Sequence, residues 1–293
     1  MDIVRLETFL LLSKLGSFTE VANQMYCSQP AVSKQIKTLE EDLGVALFNR
    51  IGKKNHLTIQ GEYFKPYAQE IINTYARAKE HILQLENLEE GTIRFGATNF
   101  IGVYLIPEIL AIFRNRFPKI EVDFTISSSK KLIALLQNDA IEFAFMSGYI
   151  DLVSERFIIK KICDDNLKII VNASHNLANK KTTTIKAIQN ETFVLKGETS
   201  SLYKFLQNRI GPDACMNNIM LKISSQEGIK EAVIQNLGIS VMSEKAVKHE
   251  MDLGLIKTLD LENIDLTRSI NLIYNKKHNL TPAAKEFFKC LKC

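Results

Sequence analysis

Residues 28–43 (SQPAVSKQIKTLEEDL) carry side chains that could form hydrogen bonds and ion pairs with DNA. Apolar residues recur along this segment at steps of four, three and four, from Val32 to Leu43, which predicts a helix with one buried face. Polar groups near the positive N-terminal end of a short helix suit the major groove, where base edges offer donors and acceptors. The predicted exposed face carries Gln29, Pro30, Ser33, Lys34 and Lys37.

The residues before this segment predict a helix-turn-helix. Gly16 ends a first helix, and Ser17-Phe18-Thr19-Glu20 has the pattern of a capping box that opens a second one. The second helix is expected to end near Tyr26, so that Ser28 caps the recognition helix after a short turn. An ordinary core helix with a solvated polar face is the alternative, and the preceding capped helix disfavours it.

A small β-hairpin, or wing, is predicted after Gly44. Residues 47–50 and 56–57 have the pattern of two short strands around a basic tip at 51–55. Such a tip suits contact with phosphate or with the minor groove. The basic residues of the wing are Arg50, Lys53 and Lys54.

Residues 58–87 predict one long linker helix. Apolar residues spaced by four and three hold a heptad seam for three repeats, which is the pattern of a coiled coil. A paired linker would bring two recognition helices to a two-fold DNA site. A helix packed on its own domain is the alternative. The seam residues are Phe64, Ala68, Ile71, Tyr75, Ala78, Ile82 and Leu85.

Beyond Gly91, strands and helices alternate, which predicts parallel sheets in two α/β lobes. Strands are expected at 92–97, 121–127, 141–147, 157–163, 167–171, 192–195, 220–223, 239–242 and 269–274. Helices are expected at 103–117, 130–138, 202–210, 226–236, 244–250 and 282–291. The chain should cross between the lobes near 161–164 and 264–268.

Ligands of such sheets bind beyond the C-terminal ends of the strands. Hydroxyl groups are concentrated at these positions, which favours a cleft that binds a small polar ligand. Ser and Thr are also common helix N-caps, so each residue taken singly has a purely structural alternative. The candidates are Thr98, Asn99, Phe100, Ser127, Ser128, Ser129, Ser147, Thr199, Ser200, Ser201, Ser224 and Ser225.

The bulk properties narrow the class of protein. A chain of 293 residues, 46% hydrophobic, is long enough for two or more domains, and its net charge of +4 does not by itself indicate nucleic-acid binding. No apolar run reaches about eighteen residues, so no membrane span is expected. The N-terminus carries Asp2 and Glu7 and does not resemble a signal peptide.

The cysteines and histidines give no pattern of a metal or catalytic site. Five cysteines without framework spacing predict a reduced, cytoplasmic protein. A metal or redox site at Cys290 and Cys293 is disfavoured because no second cysteine pair or nearby His accompanies them. A peroxide-sensing pair of Cys163 and Cys215 is disfavoured because no residue next to Cys215 would favour its thiolate. The histidines are scattered and the sequence has no G-x-S-x-G, Walker or G-x-G-x-x-G motif, so neither an enzyme nor a cofactor is expected.

The chain resembles the LysR-type transcriptional regulators. The motifs are G-S-F-T-x-x-A at 16–22, S-Q-P-A-V-S-x-Q-I-x-x-L-E at 28–40, L-G-V-x-L-F-x-R at 43–50 and L-T-x-x-G at 57–61. The resemblance implies an α/β protein with an N-terminal winged helix-turn-helix at 1–61, a linker and dimerisation helix at 58–90, and a two-lobed, periplasmic-binding-protein-like effector domain at 91–293. Its first lobe would comprise 91–162 and 267–293, and its second lobe 163–266.

The same resemblance implies DNA contacts at Gln29, Pro30, Ser33, Lys34 and Lys53. The family often has Arg where Lys34 and Lys53 stand. Because Lys lacks the bidentate fork of Arg, phosphate contact is expected here rather than guanine recognition.

Residues 97–107 and 224–243 resemble the branch that controls sulfur-assimilation or carbon-fixation genes, in which small anionic metabolites are common effectors. Where that branch commonly has G-S-G-T-R, this chain has Thr199-Ser200-Ser201-Leu202-Tyr203 and so lacks the Arg. Some relatives also have an acid where Ser147 stands. An anion would then depend on backbone N–H groups, hydroxyls and Lys196.

The sequence as a whole predicts a cytoplasmic regulator that binds promoter DNA. It would form a dimer through the linker helix and further a tetramer, and a small polar, anionic metabolite would control it. Two alternatives stay open: a redox-responsive regulator that uses cysteines, and a DNA-binding protein that needs no ligand.

Overall fold

The structure, a computed structural model, describes residues 2–51, 54–86, 90–147, 155–211, 219–277 and 279–291. The chain forms two compact units. The first comprises Met1–Asn87 and Gln137–Ala140, and the second comprises Leu88–Leu136 and Ile141–Cys293.

Three helices begin the first unit, and their ends follow the predicted signals. Ser17 and Ser28 each accept a hydrogen bond from the backbone N–H three residues later. Gly16 and Gly44 adopt the left-handed conformation that ends a helix. The predicted helix-turn-helix is therefore confirmed, as α1 (Ile3–Leu15), α2 (Phe18–Gln24) and α3 (Gln29–Leu43).

The wing is also confirmed, as the antiparallel strands β1 (Phe48–Ile51) and β2 (Lys54–Leu57). Its tip residues Gly52 and Lys53 lie outside the described residues. The helix that follows begins close against the start of the wing, since a Cβ on Gly61 would collide with the Leu47 carbonyl oxygen. Only glycine fits at this position.

The linker helix α4 (Ile59–Glu86) is confirmed, but the predicted seam divides into two parts. Ala68 is buried, and Phe64 and Ile71 pack against the core of Leu6, Phe9 and Leu12. A continuous coiled-coil seam through all seven residues is therefore wrong, because the first half of it completes the hydrophobic core of its own unit. The exposed apolar residues of α4 are Ile59, Tyr63, Tyr67, Tyr75, Ile82, Leu83 and Leu85.

The second unit starts with parallel strands. Strand β3 pairs in parallel with β4 and with β5. The helix predicted at 103–117 is instead two helices that meet at Leu105, because Pro107 cannot continue the hydrogen-bond ladder of the helix before it. These elements are β3 (Thr92–Ala97), α5 (Asn99–Tyr104), α6 (Ile106–Arg116), β4 (Glu121–Ile126), α7 (Ser129–Gln137) and β5 (Phe143–Ser147).

The two strands predicted at 157–163 and 167–171 are one continuous strand, β6 (Phe157–Asn172). Asp165 lies between the two predicted strands, but its carboxylate has an internal partner and the strand continues through it. Up to Asn166, β6 pairs with β12 (Thr267–Asn275), and from Leu167 onward it pairs with β10 (Ser240–Ser243) and β11 (Ile256–Leu261).

The remaining elements follow the predicted order with three additions, β7, α8 and β11. All pairs of β6 are antiparallel, as is β12 with β5, so the expectation of purely parallel sheets is wrong. These elements are β7 (Thr182–Thr183), α8 (Ile185–Ile188), β8 (Phe193–Leu195), α9 (Ser201–Ile210), β9 (Ile219–Lys222), α10 (Gln226–Ile234), a 3₁₀ turn (Glu244–Ala246), α11 (Lys248–Asp252) and α12 (Pro282–Lys289).

Separate hydrophobic cores form around the two ends of β6. One contains Phe95, Phe143 and Phe287, whose rings lie 4.8–5.7 Å apart, and we call the elements around it the first lobe. The other contains Ile169, Phe205 and Val241, and we call the elements around it the second lobe. Within the described residues, no helix is both long and apolar enough to cross a membrane.

Candidate DNA-binding surface and effector cleft

The exposed face of α3 presents the side chains predicted to contact DNA. Val32, Ile36 and Leu39 are buried, so the helix turns its other face outward. Lys37 lies 3.7 Å from Glu41, and because both side chains are mostly exposed this pair holds Lys37 only weakly. The exposed residues of this face are Gln29, Pro30, Ser33, Lys34 and Lys37.

Two contacts hold the wing in place, one with α3 and one with Gly16 at the end of α1. Oε1 of Glu40 accepts hydrogen bonds from the N–H groups of Leu47 and Phe48, at 2.7 and 3.1 Å. The Gly16 carbonyl accepts hydrogen bonds from the backbone and the side chain of Asn55, at 2.9 and 3.1 Å. Arg50 and Lys54 are exposed on this positioned hairpin, whereas the predicted contact residue Lys53 lies outside the described residues.

In the first lobe, two predicted ligand residues have buried polar atoms without a hydrogen-bond partner. Thr98 stands at the N-cap of α5, yet its side chain makes no capping hydrogen bond. Its Oγ1 and the Oδ1 of Asn99 are both buried and unpartnered. A ligand that offers hydrogen-bond donors would satisfy both atoms.

Other predicted residues of the first lobe have structural roles. Phe100 is buried in the core, and its ring face is covered by the Arg268 guanidinium, 5.2 Å from the ring centre. Ser128 is exposed and its Oγ accepts a hydrogen bond from the N–H of Lys131 as an N-cap. Ser129 is half-buried as the first residue of α7, and Ser147 is buried at the end of β5.

In the second lobe, the predicted hydroxyls also act mainly as caps. Ser200 and Ser225 accept hydrogen bonds from the N–H groups of Tyr203 and Gly228, at 3.1 and 3.0 Å. Thr199 is exposed. The sequence reasoning passed over Gln226, the first residue of α10, which is 6% exposed and whose Oε1 has no hydrogen-bond partner.

Lys196 directly follows strand β8 of the second lobe. Burial lowers its pKa, and the charge of Arg268 lowers it further, while Glu227 acts in the opposite direction. Within the described part of the chain, no carboxylate lies within ion-pair distance of Lys196. An anion placed beside it would stabilise its charged form.

Arg268 was also missed, although it stands where the chain was predicted to cross between the lobes. Its Nε donates to Oδ2 of Asp165 at 2.8 Å, and the Oγ of Ser243 donates to Oδ1 of the same carboxylate at 2.5 Å. Arg268 and Asp165 are almost fully buried. No local pattern in the sequence indicated this pair, because Asp165 lies among polar residues and its partner belongs to a distant strand.

Contacts between the lobes converge around these residues. Arg268 contacts Phe100 of the first lobe and influences Lys196 of the second. A second contact joins Tyr104 of α5 to Lys230 of α10, whose Nζ lies 5.5 Å from the ring centre and 2.6 Å from Glu250 Oε1. Arg268 thus connects Lys196 with Phe100, which directly follows Thr98 and Asn99 in the sequence.

The described residues give no support to a metal site or a cysteine switch. No group of three or more potential metal ligands occurs among them. Cys290 is buried and its thiol donates to the Glu286 carbonyl oxygen at 3.6 Å, which is a packing role. Cys27 is exposed and Cys163 half-buried, whereas Cys215 and Cys293 lie outside the described residues.

Two family models match the chain. Residues 3–62 match "Bacterial regulatory helix-turn-helix protein, lysR family", and residues 86–293 match "LysR substrate binding domain". Among curated relatives, a "Probable RuBisCO transcriptional regulator" of Phaeodactylum tricornutum is 33% identical over 282 residues, covering 94% of this chain and 91% of the relative. The "HTH-type transcriptional activator CmpR" of a Synechocystis strain is 28% identical and covers 97% and 93%.

Solved structures share the whole architecture. The crystal structure of full-length CbnR with its target DNA has a TM-score of 0.73, with 18% identity and 99% coverage of both chains. A full-length OxyR variant from Pseudomonas aeruginosa has a TM-score of 0.72, with 21% identity and coverage of 99% of this chain and 93% of that one. From the matched domains and the relatives, the chain belongs to the LysR family of DNA-binding transcriptional regulators.

Proposed function

We propose that this regulator senses a small polar anion bound between the two lobes of its effector-binding domain. The observation that carries the proposal is the set of buried, unpartnered oxygens of Thr98, Asn99 and Gln226. The half-buried cation Lys196, whose charge interacts with that of Arg268, is proposed to complete the site. A buried polar atom left without a partner costs about 1–3 kcal/mol. A ligand that brings both a negative charge and hydrogen-bond donors would remove this cost.

This chain lacks the Arg that the related branch commonly has after Thr199, which is consistent with a ligand that carries little negative charge. Lys196 supplies one unpaired cation, while the positive charge of Arg268 is already matched by Asp165. The site therefore suits a ligand with one anionic group and additional O–H or N–H groups. The hydroxyls of Ser128, Ser200 and Ser225 are occupied as caps, so we assign the main ligand contacts to Thr98, Asn99, Lys196 and Gln226.

We infer that promoter DNA is bound by α3 together with the wing. The exposed Gln29, Ser33 and Lys34 would enter the major groove, and Arg50 and Lys54 would contact the backbone nearby. The CbnR structure, which has the same fold and contains its target DNA, supports DNA binding by this chain. The name of the RuBisCO transcriptional regulators among the relatives supports carbon-fixation genes as the targets. Promoter DNA as the partner supports a cytoplasmic location.

We further propose that the exposed part of α4 joins two subunits. Tyr75, Ile82 and Leu85 lie on its exposed surface and would be buried in a pair of linker helices. A second contact between such dimers would give the tetramer.

The ligand proposal can be tested by thermal unfolding of the full-length protein with a panel of small anions. Pairs that differ only by one hydroxyl, such as malate and succinate or lactate and propionate, show whether hydrogen-bond donors on the ligand contribute to binding. Lys196→Met should abolish stabilisation by any anion that stabilises the parent, whereas Lys257→Met, at an exposed position on β11, should not. An equal response of both variants would refute the assignment of Lys196.

A further inference from the structure

Tyr26, in the turn between α2 and α3, is the most exposed of the large hydrophobic residues in the described part of the chain. It is 98% exposed, against 74% for Tyr63 and 75% for Ile59. An aromatic ring held entirely in water gains nothing from packing. The whole ring and its hydroxyl are therefore available to a partner outside the chain.

The backbone at Tyr26 favours a different residue. Its φ is +53°, in the left-handed region, and the next N–H, of Cys27, donates to the Ala22 carbonyl at 3.0 Å. This is the helix-ending turn in which glycine, or else asparagine, is usual. Folding alone would be served better by Asn at this position than by Tyr.

The surroundings of Tyr26 suit a polyanion. The turn leads directly into the capped start of α3, and Gln29, Pro30 and Ser33 are exposed one turn further on. From Val21 to Leu39 the sequence contains no Asp or Glu, while it contains Lys34 and Lys37. The phenol thus stands at the edge of the surface proposed to enter the major groove, with no acid near it in the sequence.

We propose that the Tyr26 hydroxyl donates a hydrogen bond to a phosphate oxygen at the edge of the groove that α3 enters. Hydroxyls of Tyr commonly hold a DNA-binding domain in register in this way, without reading bases. The inference rests on the DNA-binding surface proposed above. It adds a positioning residue that lies outside α3 and the wing.

The test uses the full-length protein with a duplex that it has enriched from a random pool, and with a scrambled duplex of equal length. Tyr26→Phe removes only the O–H group, and it should weaken binding to both duplexes by the same factor, about two- to tenfold. Equal loss is expected because a phosphate contact carries no sequence information. A loss confined to the enriched duplex would show a base contact and overturn the assignment, as would unchanged binding.

A second variant separates binding from folding. Tyr26→Asn suits the left-handed backbone, so its unfolding midpoint should equal or exceed that of the parent, while DNA binding weakens at least as much as in Tyr26→Phe. Leu253→Asn, an exposed site in the second unit, is the control and should leave binding unchanged. Gln29→Ala distinguishes a failure of the proposed DNA-binding surface from a failure of the role assigned to Tyr26. If it leaves binding to the enriched duplex intact, the proposed DNA surface is wrong, and if it alone weakens binding, only the role of Tyr26 is refuted.

Discussion

Arg268 approaches one carboxylate oxygen of Asp165 with both Nε and Nη2, each at 2.8 Å, at the point where β6 changes its pairing from the first lobe to the second. The two residues are 103 positions apart in the sequence. Because both are almost fully buried, neither charge has water as an alternative partner. This pair therefore holds the crossing between the lobes in a defined geometry.

Replacement of Asp165 should strongly destabilise the second unit. Asp165→Ala leaves the Arg268 charge buried and unpaired, for which about 3–5 kcal/mol is expected. The neighbouring carboxylate is a matched control, since Asp164 forms an exposed pair with Lys161 at 2.8 Å, and Asp164→Ala should cost about 0–1 kcal/mol. Urea unfolding of both variants measures the difference. Similar losses in the two would mean that burial does not govern the Arg268 pair.

The Thr98 hydroxyl should reduce stability while serving ligand binding. Thr98→Val removes a buried, unpartnered hydroxyl, so the ligand-free protein should unfold at an equal or higher temperature. The same variant should lose stabilisation by effector anions. Thr183 is the control because its Oγ1 is also buried and unpartnered but lies in β7, so Thr183→Val should keep the ligand response. A Thr98→Val protein that responds like the parent would place the ligand elsewhere.

Lys196 predicts opposite effects of alkaline pH on folding and on ligand binding. Burial lowers its pKa from the ordinary 10.5, so between the lowered pKa and 10.5 the unfolded chain holds more protons than the folded one. The contribution of this group to the free energy of unfolding therefore rises with pH in that window. Affinity for an anion should fall over the same window as the cation is lost.

Titration calorimetry of an anion that stabilises the parent, carried out across the alkaline range, measures this effect. Lys196→Arg keeps its charge, so its affinity should stay level where that of the parent falls. Lys257→Arg serves as the control and should follow the parent. A level affinity in the parent would indicate that Lys196 does not contact the anion.

The two parts of α4 should respond differently to a buried charge. Ile82 is 61% exposed in the single chain, so Ile82→Asp should separate subunits while each remains folded. Ala68 is fully buried in the first unit, so Ala68→Asp should unfold that unit instead. Sedimentation velocity gives the mass and far-ultraviolet circular dichroism gives the helix content. Unchanged mass for Ile82→Asp would move the subunit contact to another surface.

The DNA-binding unit could be predicted closely because its signals are local. Capping residues and helix-ending glycines determine α1, α2 and α3, and all of them lie within a few positions of the ends they define. The linker shows the limit of periodicity, since a stripe through Phe64 and Ile71 satisfies both a coiled coil and packing on the chain's own core. Only the three-dimensional position of Phe9, whose ring centre lies 5.2 Å from that of Phe64, decides between them.

The ligand residues could be predicted only in part. The position of a hydroxyl at a helix start is visible in the sequence, but its use is not: Ser128, Ser200 and Ser225 cap helices, while Thr98 does not. Arg268 and Asp165 depend on a pairing between distant strands, which no local pattern shows. The resemblance pointed to the branch that controls sulfur-assimilation or carbon-fixation genes, and the relatives named RuBisCO transcriptional regulators agree with carbon fixation.

Strand β6 connects the two lobes of the effector domain through continuous sheet rather than through a flexible loop. It runs unbroken for 16 residues and is hydrogen-bonded along both halves, so the lobes cannot swing about a free loop. Any change in the angle between the lobes therefore has to twist or bend β6 against the strands with which it is paired. If the proposed ligand changed this angle, the energy stored in the distorted strand would be released when the ligand leaves, and the domain would return to its starting geometry without a further energy source.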